Sequence, residues 1–148
     1  MPYDVNGWVE ATWIPPQERE GFPSLWMPVL SLGVFSLTGD DISNYLFGLS
    51  KLSAGPGLFG ERGVPADCTD VVASSIASNH DFIAKYGEGN FGHTHASLQE
   101  IQAALAAPGA PEEADSGWHH ALASVEFILS ERACVHTPWC RFLVWANW

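Results

Sequence analysis

Six histidines occur in the chain, and four of them fall into two tight groups, His93 with His95 and His119 with His120. Their spacings allow different chemistry. His93 and His95 are two apart in Gly92-His93-Thr94-His95, so in an extended loop both imidazoles project to one side. There they could ligate one metal or act as an acid and a base. His119 and His120 are adjacent in a segment that reads as helix, where their rings diverge by about 100°, and the pair is read as structural.

Two imidazoles are an incomplete metal shell, since Zn²⁺ or Fe²⁺ needs one or two further ligands. Asp4 and Glu10 share the polar face of the first predicted strand with Asn6 but stand roughly 20 Å apart along it. Only one of them can belong to any one site. Asp4 beside Asn6 is preferred, because a strand end meeting a loop is where a pocket opens. The expectation is a polar pocket where Asp4, Asn6, His93 and His95 converge. His93 and His95 would be catalytic groups, or metal ligands together with Asp4, with Asp4 and Asn6 as ligand-binding residues. The competing account has both histidines capping the following helix or bonding loop carbonyls.

Other signatures are weaker. Two His-x-Thr/Ser dyads would make a 2H phosphoesterase pair; His95-Ala96-Ser97 fits one, but His136-Thr137-Pro138 lacks the spacing for the second. Cys134 and Cys140 flank His136 at a spacing that matches no zinc knuckle, so they read as packing residues. Nucleophile-elbow, phosphate-loop and zincin motifs are absent from the sequence.

The elements that must position these groups follow from periodicity. Residues 5–14 alternate as a strand closed by Pro15 and Pro16, and residues 29–37 read as a second strand buried on both faces. Asp40 or Asp41 caps a helix through Ile42, Tyr45, Leu46 and Leu49, which stops before the glycine-rich loop at 55–63. Asp67 or Thr69 caps a helix reaching Tyr86, with Val72, Ile76 and Ile83 inward. Ser97 and Glu100 have capping-box spacing and start a helix near Leu98. Residues 107–117 are a linker, and Trp118, Leu122, Val125 and Leu129 mark the buried stripe of a final helix. Residues 141–148 suit a terminal strand. The predicted fold class is α+β, one domain over residues 1–148. Its small mixed or antiparallel sheet includes the N- and C-terminal strands and carries three to four helices.

Composition bounds the function. The chain has 148 residues, 47% of them hydrophobic, enough to bury a core without staples. Seventeen acids against six bases give a formal charge of −11, and the six cations are isolated in sequence, which argues against nucleic-acid binding. Glu112, Glu113 and Asp115 read as a solvated loop. Pro23, Pro28 and Gly33 interrupt the uncharged stretch 21–39, so no membrane span is expected. Three cysteines without CxxC spacing, behind an opening with no signal-peptide pattern, imply an intracellular, cytoplasmic setting.

Several motifs stand in an order that resembles an uncharacterised family of phage and bacterial proteins. That family opens with an Asp-Ile-His and Val-Glu strand, here Asp4-Val5-Asn6 and Val9-Glu10. An aromatic-leucine-Phe helix resembles Tyr45-Leu46-Phe47-Gly48-Leu49, and a Gly-Leu-Pro-x-Asp turn resembles Gly63-Val64-Pro65-Ala66-Asp67. A His-Ser-His-Ser segment resembles His93-Thr94-His95-Ala96-Ser97, and a closing strand resembles Arg141-Phe142-Leu143-Val144-Trp145. The departure is Asn6, a poorer metal ligand than the family's histidine. The resemblance implies a fold and a site location but no activity.

Two functions stand side by side. One is a phage-type accessory protein that binds or hydrolyses a phosphorylated or nucleotide-like small molecule in the His/Asp pocket, with or without a divalent metal. The other is a non-catalytic interaction or inhibitor module that uses exposed aromatics such as Trp8, Trp139 or Trp148 against a host protein.

Overall fold

The alternation at the start of the chain becomes β1, Asp4–Thr12, which lies between two antiparallel neighbours. One is β2, Met27–Ser31; the other is β4, Trp139–Asn147, paired with β1 along its whole length from Asp4↔Asn147 to Thr12↔Trp139. A further strand, β3, Asn90–Ser97, flanks β4 on its far side, giving the sheet order β2-β1-β4-β3. The computed structural model describes residues 4–15, 18, 25–49, 55–86, 90–112, 116–132 and 139–147, with backbone alone at 79–84, 86, 90, 91, 131 and 132.

The N- and C-terminal strands thus form the middle of one antiparallel sheet, as expected of an α+β fold. Neither could bury both faces alone, and together they make a pair that elements on each side can cover. Close approach at the centre requires glycine: Gly7 has φ of 153°, and a Cβ there would stand 1.9 Å from the Leu143 carbonyl oxygen. The register aligns Val5, Val9 and Ala11 with Ala146, Phe142 and Cys140 on one face. Trp8 and Glu10 fall opposite Leu143 and Arg141 on the other.

The first face carries the main core. Helices α1 (Asp41–Phe47), α3 (Leu98–Ala106) and α4 (Gly117–Arg132) place Ile42, Leu46, Phe47, Ile101, Trp118, Leu122, Val125 and Leu129 against it. Trp118 is fully buried without an orphaned donor, because its Nε1 donates to Ser43 Oγ at 2.7 Å. Asp40 joins two of these helices: Oδ1 accepts from the Ser43 amide at 2.7 Å as the α1 cap, and Oδ2 accepts from Ser116 Oγ at 2.8 Å. Helix α2 (Asp70–Tyr86) packs on the second face, where Trp8 Nε1 donates to Ser75 Oγ at 3.2 Å and Val72 is buried.

Two expectations about strands need correction. Residues 29–37 are not one doubly buried strand: β2 ends at Ser31 and the chain turns through a 3-10 helix, Leu32–Phe35. Ser31 Oγ accepts from the Gly33 amide and starts that turn, while Pro28, which has no N–H, sits on the sheet's edge strand, where none is needed. Residues 90–97 are not a loop but β3, with one extra residue between Phe91 and Thr94 where Gly92 takes φ of 69°. The glycine-rich segment covers β3's outer edge, since Thr94 Oγ1 donates to the Phe59 carbonyl and the Arg62 amide donates to Thr94 Oγ1.

Candidate binding groove

The register spreads the four predicted site residues over three strands. His95 faces Leu143 on β4, which faces Trp8 on β1, and Asp4 is four residues further along β1. Two strand spacings and four residues of rise separate His95 from Asp4 by about 16 Å, too far for a shared ligand. The single pocket of Asp4, Asn6, His93 and His95 is therefore corrected. His93 and Asn6 instead flank Trp145, one on each side: Asn6 is its register partner, and the His93 ring stacks on the indole at 5.7 Å between centroids. Asp4 is exposed at the strand end beside Asn147. Glu10, the alternative carboxylate, is fully buried in an ion pair. Among the described residues no three His, Cys, Asp or Glu side chains gather to hold a metal. His93, His95 and Asp4 do not make a zinc or iron site.

His95 belongs to a different place, a groove of about 480 Å³ at the end of β3. The groove exists because of the capping box. Ser97 Oγ accepts from the Glu100 amide at 3.1 Å and Glu100 Oε2 accepts from the Ser97 amide at 2.8 Å, which turns the chain out of the sheet into α3. β3 stops at Ser97↔Arg141, while β4 begins two residues earlier at Trp139. The β3–β4 register thus ends at Arg141. The groove is lined by Trp139 and Cys140 of β4, Leu98 and Gln102 of α3, Glu126 and Leu129 of α4, and Trp26, Arg62 and His95.

Within this groove His95 is held in one tautomer. Its Nδ1 lies 3.1 Å from the Gly63 carbonyl, which can only accept, so Nδ1 carries the proton and Nε2 keeps a lone pair in the neutral ring. Arg62 clamps Glu100 through two 3.0 Å bonds, stacks on Phe59 at 4.8 Å and reaches the His95 carbonyl. The hydrogen bonds from Arg62 act first, ahead of burial, and hold the Glu100 carboxyl below the usual range. Gln102 Nε2 donates to Glu126 Oε1 at 2.6 Å, and Glu126 has no cationic partner among the described residues.

Arg141 braces the groove from below. Its Nε and one terminal nitrogen each lie 2.8 Å from Glu10 Oε2, the other terminal nitrogen bonds Asp67 Oδ1 at 2.7 Å, and the guanidinium lies 3.8 Å from the Trp26 ring centre. Trp26 Nε1 donates to Asp67 Oδ2 at 2.9 Å and closes the ring of contacts. Burial raises the Asp67 carboxyl, but the bonds from Arg141 and Trp26 outweigh it and the net shift is downward. Burial pushes the Cys140 thiol up to about 12, away from the thiolate form that reacts as a nucleophile. Cys68, beside this network, is raised by burial and then by the Glu10 charge.

Of the other sequence candidates, His119 and His120 are exposed on α4. Cys134, His136 and Trp148 lie outside the described residues. Trp8 is half-buried and bonded to Ser75, whereas Trp139 is 39% exposed in the groove. Trp26, Arg62, Glu100 and Glu126 were not singled out as site residues. Only Glu100 had a local signal, its capping-box spacing, and that signal spoke of helix geometry. No protein-family model, curated protein or solved structure matches the chain.

Proposed function

We propose that the protein is a non-catalytic binding module whose working surface is the groove between α3, α4 and the first residues of β4. The observation that carries this reading is a tryptophan that keeps 39% of its surface exposed, Trp139, lining the groove together with Trp26, Leu98 and Leu129. A large aromatic in a concave apolar setting with a polar rim is how interaction anchors are built. The groove's charged side chains support it as well. Arg62 and Arg141 are engaged by Glu100, Glu10 and Asp67, which makes them scaffold and leaves them poorly placed to follow charge through a reaction. On the family resemblance, the setting would be a phage accessory protein acting on a host partner.

A second reading, binding or hydrolysis of a phosphorylated or nucleotide-like small molecule, is favoured by one observation: His95 lines a groove of ligand size with its tautomer fixed by Gly63 and with Ser97 two residues on. The test is hydrolysis of p-nitrophenyl phosphate and of mononucleotides by wild type and His95→Ala. The binding reading expects equal, background rates from the two proteins. Turnover that His95→Ala abolishes would replace it with the catalytic one.

A further inference from the structure

The glycine-rich segment is attached to the rest of the fold in two unlike ways. Its first part is locked to α1, where the Leu58 and Phe59 amides donate to the Tyr45 and Leu46 carbonyls at 3.0 and 2.7 Å. A Cβ on Gly57 would stand 2.4 Å from the Gly48 nitrogen, so this part is wedged against the end of the helix. The second part is held differently. Residues 62–65 lie in no helix, strand or turn, and Glu61, Arg62 and Val64 are exposed. The bonds that fasten them to β3 and α3 run through side chains. The Arg62 guanidinium holds Glu100 and reaches the His95 carbonyl, the Arg62 amide donates to Thr94 Oγ1 at a long 3.4 Å, and His95 Nδ1 donates to the Gly63 carbonyl. The Arg62 and Glu100 side chains are 34% and 41% exposed, so water competes for their pairing.

Two backbone positions in this part are turned into the left-handed region. Gly63 has φ of 73° with open space where a Cβ would stand, so its glycine serves conformation alone. Glu61 has φ of 65° without being a glycine, a state that an L side chain adopts at a cost. The closed position therefore sets a strained residue against partly exposed side-chain bonds, the balance that lets a segment open by itself while the domain stays folded. Further along the chain is fixed again, because Asp67 is tied to Arg141 and Trp26.

We propose that residues 61–65 form a movable strap, closed in this structure, which swings away from β3 by rotation at Glu61 and Gly63 when the Arg62–Glu100 clasp lets go. Closed, the strap covers the edge of β3 at Thr94 and keeps the proton of neutral His95 on Nδ1. Open, it withdraws the Gly63 carbonyl, so His95 loses its set tautomer, and Arg62 leaves the groove that it lines. The strap thus controls the state of His95 whichever function the groove serves.

Trypsin reads the strap directly, because it cuts after Arg62. The full chain is digested under native conditions, and initial rates at Arg62–Gly63 and Arg141–Phe142 are followed by mass spectrometry, each divided by the rate of the same bond in the urea-unfolded chain. Arg141 lies in the centre of the sheet between Glu10 and Ser97, so its bond is cut only on global unfolding and serves as the reference. In wild type the Arg62 bond is cut at least about tenfold faster than the reference. Its rate stays flat in sub-denaturing urea, since opening the strap exposes little surface, whereas the reference rate climbs. Glu100→Gln keeps the capping box, which glutamine also forms, but uncharges the clasp, and it raises cleavage at Arg62 about 5- to 10-fold. Gly63→Ala raises it by about the same factor, and Glu61→Gly lowers it about two- to fivefold. Two-bond ¹H–¹⁵N spectra of His95, assigned with His95→Ala, show the Nδ1–H tautomer in wild type and a mixture in Gly63→Ala. Equal rates at the two bonds, climbing together with urea, would mean that the segment opens only when the whole domain unfolds, and the strap is refuted. A rate at Arg62 unmoved by Glu100→Gln and Gly63→Ala, or raised by Glu61→Gly, overturns the clasp and the hinge.

Discussion

Replacing Arg141 with methionine isolates the one fully buried carboxylate of the sheet. Glu10 is 0% exposed and accepts from Arg141 through Nε and a terminal nitrogen, both at 2.8 Å, and from the Thr69 amide at 2.7 Å. Arg141→Met leaves only the Thr69 bond, so a charge remains in the interior without its counter-ion. Breaking one side of such a pair costs about 3–5 kcal/mol. Loss of the Trp26 stacking adds about 0.5–1 kcal/mol, and loss of the half-exposed Asp67 pair adds little. Out of a total stability of about 5–15 kcal/mol, this is a large fraction, and it corresponds to a melting temperature lower by roughly 10 °C or more. The assay is urea denaturation followed by tryptophan fluorescence, run on Arg141→Met, Glu10→Leu and the double variant. The double variant should recover most of the loss, because two apolar side chains replace the pair without leaving a buried charge. A single-variant loss under about 1 kcal/mol, or additive single losses in the cycle, would refute the assignment of this pair as the brace between β1, β4 and the start of α2.

Three further outcomes follow from the same fold. Gly7→Ala should prevent folding or lower the urea midpoint severely, since its Cβ would meet the Leu143 carbonyl oxygen at 1.9 Å and φ of 153° disfavours any side chain; a near-native circular dichroism spectrum and midpoint would contradict the close β1–β4 approach. Leu122→Ala should cost about 2–5 kcal/mol, because Leu122 lies in the buried cluster with Trp118 and Val125; an unchanged urea midpoint would show that the α4 stripe is not core. Acid should destabilise wild type partly through Asp67 and Glu100. Both carboxyls lie below their ordinary values of 3.8 and 4.5, so their stabilisation is present above those values and is lost as pH falls through the folded ones. Arg62→Met removes the leading cause at Glu100, and its midpoint should fall less steeply than wild type's between about pH 5 and pH 2; identical slopes would count against that coupling.

What the sequence determined by itself was local and periodic. The alternation of the first strand, a cap at Asp40 or Asp41, which the structure gives to Asp40, the Ser97–Glu100 capping box and the Trp118-to-Leu129 stripe each rest on interactions between residues a few positions apart, and each appears in the fold. The sheet's terminal strands were legible too, because two short aromatic segments that cannot bury themselves must find a partner. Tertiary structure decided everything that depends on register. The His-x-His spacing places both rings with respect to one strand, but it cannot say that two strand spacings and four residues divide His95 from Asp4. Glu10 looked like a free carboxylate until Arg141, 131 residues away in sequence, claimed it. The groove was invisible for the same reason: it is made by the mismatch between where β3 turns into α3 and where β4 begins, and its tryptophans and charges come from segments that share no local pattern. Short-range interactions leave their signature in neighbouring residues, whereas pairing between distant strands is fixed only when the whole core closes around one register.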